Sequence, residues 1–242
     1  MSIIKFEHAR KAYGKNVIIP DFNLDIEKGE FVSVIGTSGC GKTTLLKMMN
    51  GLIALDRGTI YINGKDIRKE NQIELRRNIG YAIQGSGLFP HMSVYENIAY
   101  VPNLINRKDK QKTKAAVEKW VQVVGLDQAI LERYPDELSG GQQQRVGIAR
   151  ALGASPDIVL MDEPFGAVDE ITRHQLQKEI KQIHQETNVT IVFVTHDIQE
   201  ALTLGTKVLV LEKGELAQYA SAKMLQSNPA NAYVERLVRG SL

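Results

Sequence analysis

Two patterns of apolar positions follow one another along the chain and predict strands and helices. Residues 3–35 read as strands separated by turns, and the apolar–polar alternation over 23–27 is typical of a strand with one buried face. Phe31–Ile35, 158–161 and 189–194 are nearly continuous apolar runs of strand length, which are typical of parallel strands buried on both faces. We therefore expect a strand-rich layer in the N-terminal third and buried strands further along.

Helices are predicted where a capping residue precedes apolar residues at helical spacing. The expected starting points are the turn at 36–44, Ser93 with Glu96, Ser139 with Gln142, Asp169, and Asp197 with Glu200. The two serines are each followed three positions later by Glu or Gln, which is the capping-box arrangement. The helix after Ser139 is expected to reach about residue 153, and a short helix is expected up to Leu242.

Glycine-containing turns divide other segments into hairpins. An Asn-Gly pair within 59–65 and a Lys-Gly pair within 207–218 predict tight turns between antiparallel strands. A short strand is predicted over 79–84, and the irregular, apolar segment 85–92 follows it. That segment is either a partner surface or packs locally.

Residues 107–120, which include Lys108, combine basic side chains with apolar ones and predict an amphipathic helix. Its basic side is either a solvated face or a contact with anionic lipid headgroups. The chain as a whole has a net charge of only +2, so no polyanionic partner is expected.

Composition narrows the class of protein further. The 242 residues are 43% hydrophobic, which is enough for a substantial core. Cys40 is the only cysteine, so no internal disulfide forms and a reducing compartment is expected. Charged residues close to the N-terminus argue against a signal peptide, and no apolar run approaches the ~20 residues that are needed to cross a bilayer. Any membrane crossing is therefore expected from other chains.

The segment 36–44 has the phosphate-loop pattern G-x-x-x-x-G-K-[ST] between a predicted strand and a predicted helix. Its residues are Gly36, Thr37, Ser38, Gly39, Cys40, Gly41, Lys42, Thr43 and Thr44. Glycines let successive N–H groups point at an anion, and the following helix adds the positive end of its dipole. Lys42 is expected to reach the β- and γ-phosphates, and the Thr43 hydroxyl to bind Mg²⁺. The pattern predicts binding of a nucleoside triphosphate. Cys40 is read as a small packing residue rather than a redox switch.

Asp162 and Glu163 end the apolar run that begins at residue 158. Parallel strands deliver their C-terminal residues to the ligand edge of an α/β sheet. Asp162 is therefore expected to help hold Mg²⁺, and Glu163 to position or deprotonate the attacking water. The plain alternative is a pair of carboxylates that only ends a strand.

Ser139, Gly140, Gly141 and Gln142 open a helix whose cap does not need two glycines. Exposed N–H groups at this helix start form a second anion site, yet no lysine and no metal-binding hydroxyl follow it. We interpret it as half of a shared site that another copy of the chain completes. The alternative is an ordinary capped helix.

Two single residues have two interpretations each. Tyr13 is either a core or surface residue or a platform on which a purine stacks. His196 follows a predicted buried strand and is either structural or hydrogen-bonds the γ-phosphate.

Taken in order, these segments resemble the nucleotide-binding subunits of ATP-binding cassette (ABC) transporters over essentially the whole chain. The resemblance implies an α/β P-loop NTPase fold with a RecA-like core, an N-terminal antiparallel β layer and an inserted helical subdomain at about 88–155. It implies one ATPase domain over 1–242, and no C-terminal regulatory domain is expected.

The resemblance also implies roles for residues. Tyr13 matches the aromatic residue on which adenine stacks, and Gln84 matches the glutamine that links Mg²⁺ and water to the membrane partner. Residues Ser139 to Gln142 match the signature sequence. Asp169 matches the inter-subunit aspartate, and His196 matches the switch histidine. ATP and Mg²⁺ are the implied ligands, with Thr43, Gln84 and Asp162 at the metal. One departure from the family is Ala167-Val168-Asp169, where Ala-Leu-Asp is usual.

The family implies a head-to-tail homodimer on membrane permease subunits at the cytoplasmic face of the inner membrane, with a solute-binding protein. The region 84–100 would receive the permease. Segments 76–81, 87–92 and 161–167 resemble bacterial importers. Among these, the chain most resembles the quaternary-amine osmoprotectant group, which carries glycine betaine, carnitine or choline. The rivals are import of another small solute and an export or lipoprotein-release ATPase. A non-transport ATPase acting on DNA or ribosomes would need a long coiled-coil insertion or a second cassette, so no nucleic-acid partner is expected.

Overall fold

The computed structural model describes residues 2–85, 87–107, 109–166 and 168–240. They form two compact units, one of residues up to 76 together with those from 190 onward, and one of residues 77–189. The expectation of a single domain with a helical subdomain at about 88–155 stays a prediction. The parts of the sequence interpretation that involve Ser86, Lys108, Ala167 and the last two residues lie outside the described residues.

The strands and helices have these bounds. The strands are β1 (Ser2–Tyr13), β2 (Asn16–Glu27), β3 (Phe31–Ile35), β4 (Arg57–Ile62), β5 (Lys65–Asp66), β6 (Ile79–Ala82), β7 (Ile158–Asp162), β8 (Thr190–Val194), β9 (Lys207–Glu212) and β10 (Glu215–Ala220). The helices are α1 (Lys42–Met49), α2 (Gln72–Arg77), α3 (Val94–Asn106), α4 (Lys110–Val123), α5 (Gly140–Leu152), α6 (Glu170–Thr187), α7 (Ile198–Leu204), α8 (Ala222–Ser227) and α9 (Ala232–Arg239).

The first unit contains the predicted N-terminal antiparallel layer, with strand order β2-β1-β4-β5. Leu24 and Ile26 of β2 are buried while Asn23, Asp25 and Glu27 are exposed, as the alternation predicted. The turn between β4 and β5 has Asn63 and Gly64 at φ values of 51° and 76°, which suit a tight hairpin. The predicted Asn-Gly hairpin is thus confirmed.

The same unit holds a parallel group in which β3 lies between β8 and β9. β10 pairs antiparallel with β9 through the predicted Lys213-Gly214 turn. Every residue of β3 and β8 is buried, as expected for strands covered on both faces. α7, α8 and α9 cover one side with a core that includes Ile35, Val210 and Leu225. This arrangement brings the ends of β3 and β8, which point the same way, to one edge.

The second unit pairs β6 and β7 in parallel and adds the helices α3, α4, α5 and α6. Gly80 of β6 lies so close to α5 that a Cβ atom there would be 2.2 Å from the Ala151 carbonyl oxygen. Arg145 of α5 and Glu179 of α6 form an ion pair at 2.5 Å with both side chains 13% exposed. α5 is therefore fixed to both the strand pair and α6.

Some predicted boundaries are wrong. β6 ends at Ala82 rather than at Gln84. The basic helix begins at Lys110 rather than at residue 107, because Arg107 has a φ of 52° and ends α3, and the Asp109 carboxylate caps α4. β7 ends at Asp162, so Glu163 stands outside the strand. The described part of the chain contains no helix with the length and apolar character needed to cross a bilayer.

Candidate nucleotide site

The phosphate loop runs from the end of β3 to the start of α1, as predicted. Gly41 precedes the helix with a φ of 109°, a conformation that L side chains rarely adopt. At Gly36 a Cβ atom would lie 2.3 Å from the Leu211 carbonyl oxygen of β9. Gly41 is thus required by its backbone conformation, and Gly36 by the close approach of the β9 backbone.

The Lys42 side chain is held inside this loop. It is 8% exposed, and its ammonium group donates hydrogen bonds to the carbonyl oxygens of Gly36 at 2.7 Å and Thr37 at 3.0 Å. Thr37, Ser38, Gly39 and Thr43 are exposed, so the loop presents its backbone and a hydroxyl to solvent. This combination of an exposed helix start and an inward lysine suits an anionic ligand.

Cys40 is buried beneath the loop. Burial raises the pKa of its thiol, which opposes the thiolate form that redox chemistry needs. Its Sγ atom would lie 2.7 Å from a Cβ atom on Gly36. These contacts favour the packing role that the sequence suggested.

Sequence reasoning missed Tyr233 of α9. Its hydroxyl accepts a hydrogen bond from the Thr37 backbone N–H at 3.1 Å and donates one to the Leu211 carbonyl at 3.3 Å. The two hydrogen bonds connect the phosphate loop to β9 and to the last helix. No local pattern in the sequence marks this tyrosine, because its partner lies 196 positions away.

Tyr13 ends β1 and is 51% exposed, which excludes the core interpretation. The Lys11 ammonium lies 5.3 Å from the centre of its ring. β1 is joined to the phosphate loop through β2, because Lys11 pairs with Ile19, and a Cβ atom on Gly41 would lie 2.8 Å from Ile19 Cδ1. An exposed ring on this strand remains available for stacking.

His196 is exposed in the turn between β8 and α7. The turn is fixed by Thr195, whose hydroxyl donates to Glu200 at 2.6 Å and accepts from the Asp197 N–H at 3.0 Å. The Asp197 carboxylate caps α7. His196 thus follows a parallel strand on a well-supported turn, where its imidazole faces solvent rather than the core.

In the second unit, the structure brings Gln84 and Glu163 together. Gln84 Nε2 donates a hydrogen bond to Glu163 Oε2 at 2.9 Å. Glu163 has a φ of 47°, an uncommon conformation for a residue other than glycine, which costs about 1–3 kcal/mol. Such strain is concentrated at functional sites, so this outlier supports a role for Glu163 beyond ending the strand.

Asp162 precedes Glu163 and is 5% exposed at the end of β7. Burial raises the pKa of the nearby Tyr81 hydroxyl to about 12, and the negative charge of Asp162 adds to the shift. The Asp162 side chain thus lies buried beside Tyr81 at the carboxyl end of a parallel strand.

The helix start at Ser139 has the predicted capping box. Ser139 Oγ accepts from the Gln142 N–H at 3.3 Å, and Gln142 Oε1 accepts from the Ser139 N–H at 2.9 Å. Ser139 and Gly140 are exposed, so the helix start faces solvent. Asp169 caps α6 in a similar way, through the Thr172 N–H at 3.0 Å.

The residues predicted to hold Mg²⁺ suit that ion. Among the described residues, no group of three or more His, Cys, Asp or Glu side chains could hold a metal by itself. Mg²⁺ is normally bound by one or two carboxylates together with substrate phosphates and water. The second unit offers the buried Asp162 carboxylate, and the first unit separately offers the exposed Thr43 residue at a helix start; each is an oxygen donor of a kind that Mg²⁺ binds.

Residues 19–166 match the family described as "ABC transporter". The chain belongs to this family. The matched range includes the phosphate loop at 36–44, the helix start at 139–142 and the carboxylate pair at 162–163. Members of the family bind ATP with Mg²⁺.

Curated relatives are transport ATP-binding proteins. The chain is 48% identical to the "Carnitine transport ATP-binding protein OpuCA" of Listeria monocytogenes, over 98% of this chain and 59% of that protein. It is 47% identical to the "Glycine betaine/carnitine/choline transport ATP-binding protein OpuCA" of Bacillus subtilis, over 98% of this chain and 62% of that protein. The chain thus spans about three fifths of the length of these relatives.

The fold is also that of solved ABC cassettes. The dimeric ATP-binding cassette MJ0796, in a post-hydrolysis state bound to ADP and Pi, is 31% identical with a TM-score of 0.81. The alignment covers 90% of this chain and 98% of that structure. The predicted P-loop NTPase fold is confirmed.

Proposed function

We propose that this cassette binds and hydrolyses ATP, and that it does so as one of two identical subunits under a membrane permease. The observation that supports hydrolysis most strongly is the hydrogen bond from Gln84 to Glu163, with Glu163 in a strained conformation directly after Asp162. A carboxylate whose orientation is fixed by an amide is suited to accept a proton from water.

In this proposal the first unit binds the nucleotide. The N–H groups of residues 36–44 and the start of α1 bind the phosphates, and Lys42 exchanges its two carbonyl partners for phosphate oxygens. Tyr13 stacks on the adenine, and His196 hydrogen-bonds the γ-phosphate. Thr43, Asp162 and Gln84 would hold Mg²⁺, which supplies charge neutralisation at the phosphates.

Glu163 is the proposed general base. Gln84 orients its carboxylate through the hydrogen bond to Oε2. Because Gln84 follows β6 and precedes the apolar segment 87–92, movement of that segment would reach Glu163 through the hydrogen bond. Catalysis and partner binding are thus joined through one amide side chain.

A second copy of the chain completes the site in this account. Ser139, Gly140 and Gly141 supply a helix start that is exposed at Ser139 and Gly140, but no lysine or metal-binding hydroxyl follows it. In a head-to-tail pair, each such helix start contacts the nucleotide on the other copy's phosphate loop, with Asp169 beside it. The dimeric cassette with ADP and Pi supports this arrangement by analogy.

The permease is proposed to bind the segment 87–92 and the adjacent face of α3. Phe89 packs against Tyr100 with ring centres 5.1 Å apart, and Tyr100, Leu104 and Ile105 are 40–44% exposed. Asn97 holds the segment, accepting from the Phe89 N–H and donating to the carbonyls of Phe89 and Met92. An exposed apolar surface on a fixed backbone is suited to a partner helix.

The names of the relatives support uptake of quaternary amines such as carnitine, glycine betaine or choline. The cassette would then sit at the cytoplasmic face of the membrane, with a solute-binding protein delivering the cargo on the other side. Import of another small solute and export are the competing outcomes of the test below.

The test combines hydrolysis with transport. Glu163→Gln should lower ATP turnover by about a hundredfold or more while ATP binding persists, and it should trap an ATP-dependent dimer. Glu132→Gln, at an exposed position, is the control and should behave as wild type. In vesicles with the native permease and binding protein, wild type should import labelled betaine, and Glu163→Gln should not. Normal turnover by Glu163→Gln would contradict the proposed base, and outward movement of substrate would favour export.

A further inference from the structure

Thr172, in the first turn of α6, contacts two segments that are far apart in the sequence. Its hydroxyl donates a hydrogen bond to Asp169 Oδ2 at 2.7 Å, and its backbone N–H donates one to Asp169 Oδ1 at 3.0 Å. Its methyl group faces Gly141 of α5, where a Cβ atom would lie 2.8 Å from Thr172 Cγ2. One side chain therefore contacts both the signature glycine and the inter-subunit aspartate.

These two contacts cannot change independently. The hydroxyl and the methyl group of threonine share one carbon atom, and a β-branched side chain has few accessible rotamers. A rotation that moved Cγ2 away from a larger residue at 141 would also move Oγ1 away from Asp169. The space at Gly141 and the orientation of the Asp169 carboxylate are thus linked through the χ1 angle of Thr172.

The hydrogen bonds also favour the charged form of Asp169. The Thr172 N–H and then its hydroxyl hold the pKa of the Asp169 carboxyl below its ordinary value. The carboxylate is exposed, so it is presented to solvent as a fixed acceptor.

We propose that Thr172 is a positioning residue that sets the signature segment and Asp169 in one arrangement for contact with the second copy. In this chain Gly141 leaves space for the Thr172 methyl group, in addition to any space that it leaves for a nucleotide. The inference rests on the head-to-tail dimer proposed above, and it assigns a task to a residue outside the family motifs identified in the sequence.

The test uses variants that separate the methyl group from the hydroxyl. Thr172→Ser keeps the hydroxyl and removes the methyl group, whereas Thr172→Val keeps the shape and removes the hydroxyl. Gly141→Ala adds the conflicting Cβ atom, and it is combined with each Thr172 variant. Ile171→Val, next in sequence and 84% exposed, is the matched control and should behave as wild type.

Three readouts are measured on the full chain: kcat for ATP hydrolysis, the ATP-induced dimer fraction in the Glu163→Gln background, and the melting temperature. Thr172→Val and Gly141→Ala should each lower kcat about tenfold and reduce the dimer fraction, with KM for ATP within about threefold of wild type. Thr172→Ser should stay within about threefold of wild type.

Rescue of Gly141→Ala by a Thr172 variant distinguishes a positioning role of Thr172 from a general need for glycine at position 141. Gly141→Ala with Thr172→Ser should recover kcat and dimer fraction to near the level of Thr172→Ser alone, because the clashing methyl group is gone. Gly141→Ala with Thr172→Val should not recover. Failure of Thr172→Ser to rescue, or wild-type behaviour of Thr172→Val, would overturn the inference.

Failure of the proposed function would give a different result. Wild type would then show neither hydrolysis nor ATP-dependent dimers, whatever Thr172 does. The melting temperature still tests the contact in that case: Gly141→Ala should lower it, and Thr172→Ser, but not Thr172→Val, should restore it. An unchanged melting temperature of Gly141→Ala would then overturn the inference as well.

Discussion

The hydroxyl of Tyr233 accepts a hydrogen bond from the backbone N–H of Thr37, so the last helix of the described chain holds the phosphate loop. The same hydroxyl donates to the Leu211 carbonyl, against which Gly36 is packed. α9 is in turn anchored in the core by Val234 and Leu237. The conformation of the loop thus depends on a segment almost 200 residues away.

Removal of this hydroxyl should weaken ATP binding. Tyr233→Phe keeps the ring but loses both hydrogen bonds, which frees the Thr37 N–H and the loop before nucleotide binds. We expect the Kd for ATP to rise about three- to tenfold, which corresponds to a net hydrogen-bond contribution of about 1 kcal/mol. Titration with a fluorescent ATP analogue measures the change.

Tyr219→Phe is the matched control for this prediction. The Tyr219 hydroxyl donates to Glu30 at 2.7 Å, away from residues 36–44. This variant should bind ATP as wild type does, although its stability falls. Equal affinity of Tyr233→Phe and wild type would show that the loop does not need this support.

Tyr81 should report the charge of Asp162. Burial and this carboxylate raise the pKa of Tyr81 to about 12, whereas the unfolded chain has its ordinary value of about 10. Because the folded pKa is the higher one, this contribution to stability is complete below about pH 10 and is lost as pH rises towards 12. Tyr81→Phe should therefore lose less stability over this alkaline range than wild type does.

Neutralising Asp162 tests the direction in which its charge shifts the pKa of Tyr81. Asp162→Asn should lower the pKa of Tyr81, since a negative neighbour no longer opposes the phenolate, but burial should keep it above 10. The tyrosinate absorbance of each protein, minus that of its Tyr81→Phe counterpart, isolates this group. A higher Tyr81 pKa in Asp162→Asn would contradict the assignment.

Arg145 and Glu179 should matter more to stability than a surface ion pair does. Arg145 also donates to the Val124 carbonyl, and Gln175 donates to Glu179, so each partner is buried among further hydrogen bonds. Removing one partner of such a pair leaves a charge without compensation. Glu179→Gln and Arg145→Met should each lower the free energy of unfolding by about 3 kcal/mol in urea denaturation.

The double variant distinguishes a pair from two independent residues. Arg145→Met with Glu179→Gln should be more stable than the sum of the two single effects predicts, because neither charge remains buried. Lys114→Met provides a surface comparison, since Lys114 pairs with Glu118 at 3.8 Å with 69% exposure, and should change stability little. Additive losses at 145 and 179 would mean that the contact has no energetic coupling.

Much of this fold was predictable because its signals are local. The loop at 36–44, both Gly-containing hairpins and the cap at Ser139 depend on residues within a few positions of one another, and each is present in the structure. The ends of β6 and the start of α4 were not predictable to the residue. Glu163 and Arg107 leave regular structure through positive φ angles that hydrophobic pattern does not reveal.

The supporting residues of the site escaped the sequence for a different reason. Tyr233, Thr172 and Asn97 act through contacts with backbone groups or glycines, and an ordinary Tyr, Thr or Asn carries no sign of such a contact. The glycines and charged residues of the site were identifiable because phosphate and metal binding need these residue types at fixed spacing. Residues that bind phosphate or metal can therefore be identified from the sequence, whereas residues that hold them in place are identified only from the structure.

If each ATP site is built from two copies of the chain, two variants that are damaged in different halves of the site should complement each other when they are mixed. Lys42→Ala removes the phosphate-loop cation. Gly140→Asp places a negative charge at the second anion site while leaving the Ser139–Gln142 cap in place. Neither variant alone should hydrolyse ATP at a significant rate.

A head-to-tail pair formed from one copy of each variant has one damaged site and one site with both halves intact. Mixing should therefore restore single-turnover phosphate release to about a quarter of the wild-type amount, because about half the dimers are mixed and each has one intact site of two. Phosphate release from the mixture that only equals the sum of the separate variants, or full activity of Gly140→Asp alone, would contradict the account.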